Sequence, residues 1–133
     1  AYAAATNQIS YLPILLYVGA IFWTLGYDTI YGVQDISEDE VIGVKSTAIK
    51  FKNSLNLFVI SCYLISSVAI IFVMINLKIY YSFIFLILFV VTLFYQIKIF
   101  NPKNSSSCLK AFKLNNLSGL MVFLSIFLSA IEI

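Results

Sequence analysis

The chain has 133 residues, of which 62% are hydrophobic and 11% are charged, and its mean hydropathy is +0.99. A soluble domain of this length does not need so large an apolar fraction, so the composition indicates a membrane-embedded helical bundle. The formal net charge of +2 is small and the lysines do not gather with aromatic residues, so we expect no nucleic-acid partner. Histidine is absent from the sequence, which excludes histidine general bases and most zinc sites.

Hydropathy predicts an all-α, multi-pass transmembrane bundle with four apolar helices. They cover about 11–33, 55–77, 79–97 and 108–131. Each is close to the roughly 20 residues that cross the hydrocarbon core of a bilayer. Pro13 suits the first turn of the first helix, because its missing N–H costs nothing there. The two cysteines, Cys62 and Cys108, lack metal-type spacing and are interpreted as reduced thiols.

A polar connection over about 34–53 joins the first two helices. Within it, apolar residues recur with a helical period and predict a short amphipathic piece that lies over the membrane face. These residues are Val41, Val44, Ala48 and Phe51. Gly43 is expected to interrupt or cap this piece, and Ser54 is a candidate N-cap for the helix that follows.

The lysines predict the orientation of the bundle. Seven of the eight fall on the side of the polar connection, and only Lys78 falls on the other side, next to the interfacial aromatics Tyr80 and Tyr81. This asymmetry places the polar connection in the cytoplasm, or in the matrix, of a bacterial or mitochondrial inner membrane, with both termini opposite.

The candidate functional residues are concentrated at the end of the first helix. Asp28, Tyr31, Asp35 and Asp39 fall at i, i+3, i+7 and i+11, which is one stripe of a helix. The carboxylates of Asp35 and Asp39 are one turn apart, roughly 6 Å, and repel each other unless a hard cation lies between them. Mg²⁺ is commonly held by one or two carboxylates together with phosphate oxygens. We therefore expect a Mg²⁺–diphosphate site, with Lys45 nearby and a lipid-tailed substrate such as a prenyl diphosphate.

Less specific interpretations of the same residues stay open. Acidic loops beside membranes are often only solvated, and this applies most to Glu38 and Glu40, which lie off the stripe. Tyr31 could be an interfacial aromatic and Lys45 a positive-inside anchor.

Two further alternatives concern the rest of the bundle. Asn115 and Asn116 are favoured slightly as interhelical hydrogen-bonding residues over substrate contacts. The chain could also be a non-catalytic membrane subunit or a cation carrier. A carrier should place ionisable residues near mid-bilayer on several helices, and the later three helices place none there.

Three segments together resemble the second aspartate-rich motif of the UbiA superfamily of intramembrane prenyltransferases. They are 27–31 (Tyr-Asp-x-x-Tyr), 35–39 (Asp-x-x-x-Asp) and 43–48 (Gly-Val-Lys-Ser-Thr-Ala). Their form is most similar to the 4-hydroxybenzoate polyprenyltransferases of ubiquinone biosynthesis. The resemblance extends to Lys110–Phe112, Asn115–Asn116 and Gly119, and so covers essentially the whole chain.

The resemblance implies nine transmembrane helices around a cavity, in which two aspartate-rich motifs hold Mg²⁺ and a polyprenyl diphosphate. Asp35 and Asp39 would ligate the metal, Asp28 and Lys45 would belong to the cofactor-binding set, and Asp35, Asp39, Tyr31 and Lys45 would form the catalytic set. The ring of 4-hydroxybenzoate would attack the allylic cation ortho to its hydroxyl. Naphthoate, homogentisate, haem or a glycerol lipid are alternative acceptors.

The first aspartate-rich motif of that family does not occur in these residues. The chain is therefore expected to be a C-terminal half that needs an N-terminal half as its partner and is inactive alone.

Overall fold

The computed structural model describes residues 10–77 and 83–131, with side chains up to residue 128. Within these ranges the chain is helical and contains no strand, which confirms the predicted all-α class. The elements are α1 (Tyr11–Gly32), a 3₁₀ turn (Val33–Asp35), α2 (Ile36–Ile42), α3 (Thr47–Lys50), α4 (Leu55–Asn76), α5 (Phe83–Ile99), α6 (Ser105–Lys113) and α7 (Asn115–Ile131).

Three stretches of the bundle are long and apolar enough to cross a membrane. They are Tyr11–Ile42, Leu55–Asn76 and Ser105–Leu128, and Phe83–Ile99 is a shorter apolar helix of 17 residues. Many large apolar side chains on these helices are exposed, as expected where lipid replaces water as the solvent. The protein is therefore an integral membrane protein.

The most extensive helix pairing is that of α1 with α4, and small residues make it possible. A Cβ atom added at Gly19 would lie 3.2 Å from the Cβ of Ala69. One added at Gly26 would overlap the ring of Tyr63. The backbone of α1 therefore lies directly against side chains of α4, and Ile30 and Val59 are fully buried beside this contact.

The last predicted helix differs from the structure in two ways. Where one helix over 108–131 is predicted, α6 begins at Ser105, because the side chain of Asn104 accepts hydrogen bonds from the backbone N–H of Ser106 and Ser107. Second, the helix is interrupted at Leu114, so that α6 and α7 are separate helices.

The other predicted boundaries lie close to those in the structure. The third helix is predicted over about 79–97 and observed as Phe83–Ile99, and the start of that prediction, with Lys78, Tyr80 and Tyr81, lies outside the described residues. Ser54 stands at the N-cap of α4, as predicted, but its side chain makes no capping hydrogen bond.

Candidate functional site

The acidic rim, defined as Asp28, Asp35 and Asp39, lies where α1 passes into α2. The 3₁₀ turn at Val33–Asp35 interrupts the α-helical register on which the predicted stripe depends. Asp35 becomes the N-cap residue of α2, and Asp39 lies in the first turn of that helix. The side chains of Asp28 and Asp35 are exposed, and that of Asp39 is half-buried.

The chain after the rim folds back onto α1. Gly43 adopts a left-handed conformation, with φ of 82°, and ends α2, as glycine commonly does at this position. The side chain of Ser46 then caps α3 by accepting a hydrogen bond from the N–H of Ile49 at 3.3 Å. Ala48 is buried, and its Cβ faces Gly32 of α1.

One hydrogen bond between hydroxyls ties α3 to α1. The Oγ1 atoms of Thr29 and Thr47 are 2.7 Å apart. Because the hydroxyl of Thr29 donates to the carbonyl of Leu25 at 2.6 Å, Thr47 must be the donor to Thr29. The bond fixes the turn that carries Lys45 beside the end of α1.

Aromatic contacts fix α6 next to the same end of α1. The ring of Phe112 lies with its centroid 4.8 Å from that of Tyr31 and 6.1 Å from that of Tyr27. The hydroxyl of Ser105 also donates to the side-chain carbonyl of Gln34 at 3.3 Å. Tyr31, although exposed on one side, is therefore held in place by α6.

The predicted amphipathic piece over 41–51 is interrupted at Gly43, as the sequence predicts, and its four apolar residues do not share one buried face. Val41 is 87% exposed and Val44 is 44% exposed, whereas Ala48 is 1% exposed and the ring of Phe51 stacks on Phe58 at 4.0 Å. The left-handed residue between α2 and α3 breaks the helical period, so only the second half of the predicted stripe packs inward.

The carboxylates of this region differ in their partners. Glu40 forms an ion pair with Lys52, whose Nζ lies 2.8 Å from both carboxylate oxygens. The side chains of the acidic rim form no hydrogen bond or ion pair with any residue that the structure describes. The ion pair with Lys52 therefore supports a structural interpretation of Glu40. The acidic rim has no such ion pair among the described residues.

The described part of the chain contains no group of three or more Cys, Asp or Glu side chains placed to hold a metal. Two carboxylates that accept no protein hydrogen bond nevertheless suit Mg²⁺, which takes one or two of them and fills its shell with water and phosphate oxygens. Lys45 lines a cavity of about 380 Å³ together with Ser46 and Thr47, and neither Asp35 nor Asp39 lines it. The structure thus brings Lys45 and the rim to one end of α1 without enclosing them together.

Sequence reasoning missed a buried polar cluster, defined as Tyr63, Thr92, Gln96 and Ser118. The Tyr63 hydroxyl donates to Gln96 Oε1 at 2.6 Å, and Gln96 Nε2 donates to Ser118 Oγ at 2.8 Å. Ser118 Oγ lies 2.8 Å from Thr92 Oγ1, and Thr92 donates to the Phe89 carbonyl at 2.7 Å. Gln96 in an apolar run was the available signal, since polar side chains within membrane helices bond across helices.

Asn115 behaves differently from its favoured interpretation. Its Oδ1 atom is buried without a hydrogen-bond partner in the described structure, and so is Nε1 of Trp23. The ring of Trp23 packs edge-on against Phe89, with centroids 5.4 Å apart. Ser118, one turn further along, therefore makes hydrogen bonds from α7 to α5, and the carbonyl oxygen of Asn115 makes none with the described residues.

Comparison with known proteins places these residues in context. The UbiA prenyltransferase family matches residues 1–127 of the chain. A protein of Marinobacter nauticus named 4-hydroxybenzoate octaprenyltransferase is 37% identical over 129 residues, which is 95% of this chain and 43% of that protein. Proteins of the same name from Saccharophagus degradans and Photobacterium profundum are 36% and 32% identical over 127 and 130 residues.

The alignments with the second and third of these proteins cover 95% and 97% of this chain, and 42% and 45% of the relatives. The chain thus spans less than half the length of the relatives it matches. No solved structure matches the chain.

Proposed function

Because the chain belongs to the UbiA prenyltransferase family, we propose that its protein transfers a polyprenyl group from polyprenyl diphosphate to the aromatic ring of 4-hydroxybenzoate, a step of ubiquinone biosynthesis. The observation that carries the proposal is the acidic rim, whose carboxylates have no partner in the described residues. The printed names of the relatives support the acceptor.

In this proposal Asp35 and Asp39 hold Mg²⁺ through oxygen ligands at the start of α2. Bound there, Mg²⁺ supplies positive charge to the departing diphosphate. Asp28 extends the acidic surface about two helical turns before Asp35. Lys45, held near by the Thr29–Thr47 hydrogen bond, neutralises part of the negative charge of the diphosphate.

The reaction breaks the bond between C1 of the prenyl chain and the diphosphate oxygen. A bond then forms between C1 and the ring carbon ortho to the hydroxyl, and that ring carbon loses its proton to the released diphosphate. Tyr31, fixed by Phe112, presents an aromatic face, which stabilises positive charge on the prenyl fragment. The membrane-embedded helices exclude the water that would otherwise capture the cation.

The proposal assigns residues 1–133 to the C-terminal half of the enzyme. The N-terminal half supplies the facing aspartate-rich motif and most of the acceptor site, and the rim faces the cytoplasm or matrix. On this basis the 133-residue chain has no activity alone. A membrane preparation of the isolated chain that prenylates 4-hydroxybenzoate with Mg²⁺ present would contradict this assignment.

The test of function uses the full-length protein in proteoliposomes with a polyprenyl diphosphate and Mg²⁺. Mass spectrometry should detect C-prenylated 4-hydroxybenzoate, and EDTA should abolish its formation. Naphthoate and homogentisate serve as matched acceptors. If either is prenylated in preference to 4-hydroxybenzoate, it becomes the proposed acceptor. If no acceptor is prenylated and no diphosphate binds, the subunit and carrier interpretations gain support.

A further inference from the structure

A groove of about 1000 Å³ lies between the end of α5 and the α6–α7 pair, and no residue of the acidic rim lines it. Its polar end is lined by Ser107, Lys110, Lys113 and Asn116, and its apolar wall continues along α7. The lining residues of α6 and α7 follow the helical period, so the groove runs along the helix from polar to apolar.

The polar end of the groove has an unbalanced positive charge. Lys110 and Lys113 are three residues apart on α6, both are exposed, and neither forms an ion pair or a side-chain hydrogen bond with another described residue. No carboxylate lines the groove. Lys52, by contrast, is neutralised by both oxygens of Glu40. A ligand that complements Lys110 and Lys113 must therefore be anionic.

The position of the groove restricts the ligand further. Lys113 is the last charged residue before α7, because Asn115–Ile131 contains no Asp, Glu or Lys. The boundary between headgroups and hydrocarbon therefore lies near the start of α7. Leu117 and Leu120 line the groove one and two turns beyond that boundary. A ligand that fills it has a negative head at the level of Lys113 and an apolar tail below.

We propose that this groove binds an anionic phospholipid of the surrounding bilayer. The ammonium groups of Lys110 and Lys113 neutralise the phosphate, and Asn116 lines the groove where its side-chain amide can hydrogen-bond the headgroup. One acyl chain lies along Leu117 and Leu120. The proposal depends on α5–α7 alone and is independent of the prenyl-transfer proposal.

The test measures phospholipid binding to the purified full-length protein by native mass spectrometry. Phosphatidylglycerol is compared with phosphatidylcholine of the same acyl chains. The Lys110→Gln/Lys113→Gln variant should bind phosphatidylglycerol about 25-fold more weakly, since each lysine near an anionic headgroup contributes on the order of fivefold. The matched variant Lys98→Gln/Lys103→Gln, which removes two lysines outside the groove, should bind like the wild type.

Three results would overturn the proposal: equal binding of both lipids by the wild type, unchanged binding by the Lys110→Gln/Lys113→Gln variant, or displacement of the lipid by inorganic phosphate at a similar concentration. The last result would assign the groove to a free anion. If the glutamine variant does not fold, the Lys110→Arg/Lys113→Arg and Leu117→Ala variants replace it. The arginine variant should keep its affinity for phosphatidylglycerol, and Leu117→Ala should lose several-fold with both lysines intact; the opposite pattern refutes the site.

Discussion

The buried polar cluster and the acidic rim differ in whether their polar side chains have hydrogen-bond partners within the described structure. In the cluster every side chain is hydrogen-bonded, in a series that runs from the Tyr63 hydroxyl through Gln96 and Ser118 to Thr92 and the Phe89 carbonyl. In the rim the carboxylates have no partner among the described residues. Buried polar groups must be satisfied within the bundle because lipid offers no substitute. Polar groups at the rim are left for a ligand or for the rest of the protein, which makes them the functional candidates.

The largest expected effect comes from removing charge at the rim. In the full-length protein, Asp35→Asn should lower kcat for prenyl transfer by about two to three orders of magnitude, because a metal ligand is lost while the side-chain volume is kept. The thermal midpoint should not fall, since no described contact is broken. Product formation by mass spectrometry measures the effect.

Glu40→Gln is the matched control for this substitution, because Glu40 has a partner in Lys52. It should keep activity within a few-fold and change stability by less than about 1 kcal/mol, as exposed ion pairs contribute little. Equal losses from both substitutions would remove the distinction between the rim and its neighbours.

The next largest effect, a loss of stability, is expected where Gly26 of α1 packs against Tyr63 of the buried polar cluster. Gly26→Ala places a Cβ against the Tyr63 ring, 2.6 Å from its Cδ1, and that ring is held by its hydrogen bond to Gln96. Overpacking of this kind costs about 1–3 kcal/mol. Unfolding in detergent should detect it.

Gly32→Ala provides the control for Gly26→Ala on the same helix. Its Cβ meets only the Cβ of Ala48, at 3.5 Å, which is an ordinary contact. The substitution should be neutral or stabilise the protein by up to about 1 kcal/mol, because alanine favours helix more than glycine does. A destabilised Gly32→Ala variant alongside a stable Gly26→Ala variant would contradict the described packing.

A smaller effect is expected from the cluster itself. Gln96→Met keeps the length of the side chain but leaves the Tyr63 hydroxyl without its acceptor, which should cost about 1–2 kcal/mol of unfolding free energy. In the double variant with Tyr63→Phe, the loss should be smaller than the sum of the single losses by about 0.6 kcal/mol, a typical coupling within membranes. Strict additivity would show that the two side chains do not interact.

The smallest effect is expected where α3 is tied to α1. Thr47→Val removes the hydroxyl that donates to Thr29 and should raise KM for the prenyl diphosphate a few-fold with little change in kcat, because Lys45 loses its support. Thr24→Val, on an exposed position of α1, is the control. A fall in kcat with unchanged KM would argue against a positioning role.

The long helices were predictable from sequence because each is a predominantly apolar stretch of 17 residues or more. Where a helix boundary in the structure differs from the predicted one, the cause is a local interaction that hydropathy does not detect. The Asn104 cap starts α6 before its apolar run, whereas the left-handed Gly43 ends α2 at the position where the sequence predicted an interruption. Hydropathy averages over a window and therefore does not locate a single-residue cap such as Asn104.

The candidate site was predictable in its residues but not in its arrangement. Spacing identified the acidic rim, while the 3₁₀ turn before α2 changes the helical register that the spacing assumed. The Thr29–Thr47 and Tyr31–Phe112 contacts join segments 18 and 81 residues apart, and no local pattern specifies such pairings. Gln96 was visible as a polar residue in an apolar run, but its partners lie on two other helices.

Trp23 is the single tryptophan in these 133 residues, and it stands where three helices meet. Its ring packs edge-on against Phe89 of α5 and would lie 3.4 Å from a Cβ at Gly119 of α7. Indole emission depends on the polarity around the ring. The buried N–H of Trp23 has no hydrogen-bond partner among the described residues, so it is free to bond to an entering polar molecule. The fluorescence spectrum of this chain should therefore shift to longer wavelength as soon as water or a polar ligand reaches the seam between α1, α5 and α7, well before the helices themselves unravel.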